Sequence, residues 1–111
     1  MIHILNQKAN RQQIDEMLQE LGSFIKLAVD IKRNILAGGG QMHADCESLL
    51  LQNGSQQSDI WGADWIPSIQ KVEFDALINI RPNQQNFAMT IQDPSIKQRV
   101  EKITRQLLEG V

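Results

Sequence analysis

The side chains able to ligate a metal, move a proton or attack a substrate are few: two histidines, one cysteine and thirteen acids in 111 residues. The densest grouping is His43-Ala44-Asp45-Cys46-Glu47, just after Gly38-Gly39-Gly40-Gln41-Met42. If the segment runs extended, His43, Asp45 and Glu47 share one face, and Met42, Ala44 and Cys46 share the other. Imidazole and carboxylates suit a hard or borderline cation. Alternate side chains of a straight strand stand roughly 6–7 Å apart, too far for three to reach one ion. Two of them with a carboxylate from a neighbouring strand, Asp64 or Asp75, make the workable geometry. A polar network on a sheet face, or a histidine orienting a carboxylate, explains the same residues without a metal. That is the preferred reading, and no cofactor is assigned.

Other candidates are weighed the same way. Cys46 needs a base within hydrogen-bond reach to act as a nucleophile, and on a regular strand His43 points to the opposite face. A lone cysteine among apolar neighbours fills a core. The triple glycine could cradle an anion with its backbone N–H groups, but no Lys-Ser/Thr pair follows it. A bulged strand junction is the simpler role. Trp61-Gly62-Ala63-Asp64-Trp65 places both indoles on one strand face. They cap the core beneath a helix or, if exposed, form a platform for a ligand or a subunit. Arg81 falls near Glu73 and Asp75, so an ion pair with one of these acids is expected, and an arginine so placed could orient a carboxylate ligand. The candidate binding residues are therefore His43, Asp45, Glu47, Trp61, Asp64, Trp65, Asp75 and Arg81.

The elements that must position these residues follow from hydrophobic periodicity. Ile2, Ile4 and Leu5 suggest a brief strand. Asn10 stands three residues before Gln13 as in a capping box, and Ile14, Met17, Leu18 and Leu21 predict a helix over 10–21, stopped at Gly22. Ile25, Leu27, Val29 and Ile31 alternate with Lys26, Ala28, Asp30 and Lys32, predicting a strand. A helix over 24–36 is the weaker alternative. Lys32-Arg33-Asn34 reads as a turn with Asn34 left-handed, and Ile35-Leu36-Ala37 begins the return strand. Residues 41–52 read as one long strand, with Asn53-Gly54 as a hairpin turn. The next strand holds Ile60, Trp61 and Trp65 and breaks at Pro67-Ser68. Val72–Ile80 reads as another strand, 81–86 as a polar loop, and Phe87, Met89 and Ile91 as a last short strand. Asp93-Pro94 starts a helix by N-cap and first-turn proline, and Ile96, Val100, Ile103 and Leu107 trace its apolar stripe to Gly110. Lys97, Arg99, Glu101, Lys102 and Arg105 form its outer face. The expected fold is α+β, an antiparallel meander of five to seven strands with two amphipathic helices packed on one face.

Composition narrows the function classes. The chain is one domain long, with 41% hydrophobic and 22% charged residues. A formal charge of −2 and no basic stripe argue against nucleic acid, and no apolar run suits a membrane span. The absence of a secretory leader and the single cysteine point to the cytoplasm.

The segments His43–Glu47, Trp61–Trp65, Leu77-Ile78-Asn79-Ile80-Arg81-Pro82 and Gln92-Asp93-Pro94 together resemble a family of small bacterial proteins, common in cyanobacteria, classed as a domain of unknown function. The resemblance spans nearly the whole chain. It implies a one-domain soluble bacterial protein and supplies no activity, substrate or catalytic residue. The residues themselves favour a small non-enzymatic binding domain that self-associates, a dimer being favoured, through a sheet face or edge. Its small-molecule ligand is unassigned. The alternative is a metal-dependent hydrolase using His43 with Asp45, Glu47, Asp64 or Asp75.

Overall fold

The computed structural model describes residues 1–111. Five strands, β1 (His3–Leu5), β2 (Ile25–Asp30), β3 (Ile35–Gly40), β4 (Ile60–Ile66) and β5 (Lys71–Glu73), form one antiparallel sheet in the order β1-β3-β2-β4-β5. Three helices accompany it: α1 (Arg11–Met17), α2 (His43–Gln52) and α3 (Pro94–Leu108). The α+β class stands. The order is not a simple meander, because β1 returns to pair with β3 on the far side of the β2–β3 hairpin.

Helices cover both faces of the sheet rather than one. On the first face Ile25, Leu27, Val29, Trp61, Ala63 and Trp65 meet Ile14 and Met17 of α1 and Val100, Ile103 and Leu107 of α3 in the larger core. On the second, Ala28, Ile35, Ala37 and Ile60 meet Cys46 and Leu50 of α2 in a smaller core. The period-two alternation of β2 and β4 divides these two sets.

Local chemistry accounts for the ends. The Asn10–Gln13 capping box forms, with Gln13 N–H donating to Asn10 at 2.8 Å and Asn10 N–H donating to Gln13 at 3.0 Å. The helix it starts is shorter than predicted, ending at Met17. Asp93 caps α3 by accepting from Ser95 N–H at 2.8 Å. Asn34 adopts φ +58° in the β2–β3 turn, while Asp30 accepts from the Lys32 and Arg33 N–H groups. In β3, Gly39 is the extra residue of a bulge opposite Lys26 and Leu27, with φ +106°. A Cβ there would lie 2.3 Å from the Met1 carbonyl oxygen. The triple glycine thus makes room for the N-terminal backbone and for Met17.

Four further sequence expectations fail. The segment 41–52 is mostly the helix α2: the Ala44, Glu47, Leu49–Leu51 and Gln52 side chains favour helix, and Cys46 and Leu50, one turn apart, bury against the sheet. Asn53-Gly54 closes that helix instead of a hairpin. Gly54 takes φ +101°, its N–H donates to Leu51 O at 3.2 Å, and Ser55 N–H donates to Leu50 O at 3.0 Å, a Schellman cap. The strand expected over 72–80 ends at Glu73, and no strand forms over 87–91. Residues 74–92 instead lie along β4 as short turns organised by two buried asparagines. Asn79 accepts from Gly62 N–H at 2.8 Å and donates to Gly62 O, Phe74 O and Met89 O, so its amide occupies the place of a continuing β5 beside Gly62. Asn86 donates to Asn79 O, Ala88 O and Thr90 O and accepts from Gln92 N–H.

Candidate functional site

α2 covers β3 and the middle of β2, leaving the β4–β5 end of its face open. There the register aligns Lys26 of β2, Asp64 of β4 and Glu73 of β5 side by side. His43, the first residue of α2, reaches this row, and its Nε2 lies 2.8 Å from Asp64 Oδ1 with both side chains largely buried. With Nε2–H donating to the carboxylate, the neutral ring presents Nδ1 as an acceptor. That atom makes no hydrogen bond and is not sealed from solvent.

The pair forms part of a cleft of about 370 Å³, with Asp75 and Lys26 among its polar lining and Phe24, Met42, Leu77, Ile78 and Met89 among its apolar lining. Neither Lys26 nor Asp75 has an ion-pair partner. Three rim residues are unusually open for their type: Met42 is 54% exposed, Leu77 65% and Met89 42%. The cleft thus combines an apolar rim, one unpaired cation, one unpaired anion and an oriented imidazole.

Of the sequence candidates, His43, Asp64 and Asp75 come together here and the other five do not. Asp45 turns back to its own helix end, where Oδ2 accepts from Met42 N–H at 3.2 Å. Glu47 lies one turn after His43 but pairs with Arg81 at 3.3 Å. His43, Asp45 and Glu47 cannot form the strand-face row, because the segment is helical, and no three His, Cys, Asp or Glu side chains gather as a metal-ion set. Arg81 therefore finds Glu47, not Glu73 or Asp75. It also donates to Ile78 O and Gln57 O and stacks 4.8 Å over Trp61. Burial pulls the Arg81 guanidinium below its ordinary value, and Glu47 pushes it back up. These contacts make Arg81 a fastener between α2, the 74–92 segment and the core. Trp61 and Trp65 are 1% and 0% exposed, so they cap the core and offer no platform. Cys46 is fully buried, and burial pushes its thiol up to about 11, which keeps it protonated and unreactive.

A family model described as a protein of unknown function (DUF5674) matches residues 3–107. The chain belongs to this family. The DUF5674 match takes in every strand and the whole cleft, and the family's description assigns no activity. No curated protein and no solved structure matches the chain.

Sequence reasoning missed Lys26 and the rim. Lys26 reads as the solvated half of an alternating strand, and only the cross-strand register places it beside Asp64. Met42, Leu77 and Met89 read as parts of strands. Only Leu77 carries a sequence signal: in the 72–80 alternation it falls opposite the Val72, Phe74 and Ala76 row, whereas Met89 falls in line with Phe87 and Ile91.

Proposed function

We propose that this protein is a binding domain whose recognition surface is the His43–Asp64 cleft and its apolar rim, and that self-association belongs to that role. The observation that carries the reading is the rim itself. Met42, Leu77 and Met89 remain in water around a concave site whose polar groups are only partly paired, the usual make-up of a recognition site. His43 is held by Asp64, so the imidazole is positioned to take or give one directed hydrogen bond. A net charge of −2 supports partners other than nucleic acid, and a single buried thiol is consistent with a reducing cytoplasm.

Methyl-labelled methionine tests the reading directly. Met42 and Met89 sit on the rim, whereas Met17 is sealed in the core. A library of aliphatic acids, aliphatic amines and short apolar peptides should contain compounds that shift the Met42 and Met89 methyl signals and leave Met17 still. Dilution of the protein is the parallel arm. If neither library nor dilution moves the rim methyls, the cleft is not a recognition surface.

A further inference from the structure

We infer that the occupant of the rim is a second copy of this chain, packed about a two-fold axis with Lys26 of each copy meeting Asp75 of the other. The inference rests on the recognition reading above and commits it to one partner. In a two-fold interface the same patch serves both subunits, so the patch must complement itself. This one does. Its apolar rim can cover an apolar rim, and it carries one unpaired cation and one unpaired anion, Lys26 and Asp75, lining the same cleft. An anionic ligand would leave Asp75 without a partner, and a cationic ligand would leave Lys26 without one. A small zwitterion would satisfy both charges but cover little else. The exposed apolar surface continues past the cleft to Ile80, 44% exposed, and the antiparallel Arg81–Asn86 bridge brings Phe87, 66% exposed, alongside Ile80. Ile80 joins the rim through Ile78, which lines both this cleft and the neighbouring one at Arg81. A surface of that reach suits a protein face.

The sheet edges offer a poorer route to the same assembly. The edge strands β1 and β5 have three residues each, and β5 carries the exposed Lys71–Glu73 ion pair. Short, charged edges discourage strand-to-strand pairing. A standard interface takes about 800 Å² from each partner, a modest part of the 5890 Å² surface of this chain. Such packing would close the cleft over His43 and Asp64, so that each site is completed by the other copy.

The test is sedimentation equilibrium on the full chain, with circular dichroism confirming that each variant is folded. The wild type is expected to sediment as a dimer, and Leu77→Asp as a monomer. Lys26→Glu alone sets Glu against Asp75 of the other copy, and Asp75→Lys alone sets Lys against Lys26. Each should weaken the dimer roughly tenfold or more. Mixed in equal amounts, the two variants should form a heterodimer, because both cross-pairs are then opposite in sign, and the double variant Lys26→Glu/Asp75→Lys should regain the wild-type constant. A monomeric wild type overturns the inference, as does a dimer indifferent to Leu77→Asp or a mixture that fails to pair. If the wild type is monomeric while library compounds still shift the Met42 and Met89 methyls, recognition by the cleft survives and only the second copy falls.

Discussion

At the scale of single residues, burial decides which reactive groups are available. His43 and Cys46 are one helical turn apart on α2, yet one opens to a cleft and the other is sealed beneath the helix. The Cys46 thiol is raised from an ordinary value of 9.0 to about 11, first by burial. The folded state therefore holds this proton longer. The resulting stabilisation is complete below about pH 9 and is lost as pH rises toward 11, amounting to about 2–3 kcal/mol in all. The chain has no tyrosine to titrate in that window, and comparison with Cys46→Ala cancels the lysines. Urea unfolding from pH 7 to 10.5 should show the advantage of the wild type over Cys46→Ala constant up to about pH 9 and shrinking above it. An advantage that stays constant up to pH 10.5 would show that the thiol is not protected by burial.

At the scale of elements, the informative failures were helix for strand and turns for strand. The alternation His43, Asp45, Glu47 suggested an extended chain, but two-residue spacing of polar groups is also what a short helix shows when its apolar side is only Cys46 and Leu50. The Asn53-Gly54 pair serves a hairpin and a helix C-cap equally well, since both need a positive φ. Periodicity within a dozen residues could not choose between them. The α1 cap and the α3 cap were legible because each is a local exchange of hydrogen bonds. The 74–92 segment was illegible because its order comes from Asn79 and Asn86, whose partners are backbone groups up to seventeen residues away. Asn79 is fully buried and makes four such bonds. Asn79→Ala leaves the Gly62 N–H and three carbonyls without that partner, and should cost about 2–4 kcal/mol. Hydrogen exchange should show the loss as early opening of 74–92 and of Gly62, with β2 and β3 opening later. Uniform opening of the whole sheet would count against a local role for this side chain.

At the scale of the molecule, one sheet separates two unequal cores, and Arg81 ties the smaller side to the larger. Its guanidinium joins Glu47 on α2 while stacking over Trp61, whose ring belongs to the α3 side. Glu47→Ala would leave that guanidinium largely buried without its counter-charge. A loss of about 2–3 kcal/mol is expected, somewhat below the range for a fully buried pair because solvent reaches part of Glu47. Glu47→Ala/Arg81→Met, which removes both charges, should recover much of that loss in denaturant melts. If Glu47→Ala costs less than about 0.5 kcal/mol, solvent already screens the pair. The sequence by itself determined the α+β class, the alternation of β2 and the N-terminal caps of α1 and α3, all of which rest on neighbours within a few residues. Only the tertiary structure decided that α2 is a helix on the opposite face, that Arg81 meets Glu47, and that Lys26, His43, Asp64 and Asp75 share one apolar-rimmed cleft. Those meetings depend on strand register and on which surface each helix covers, and both are set by long-range packing that local spacing does not encode.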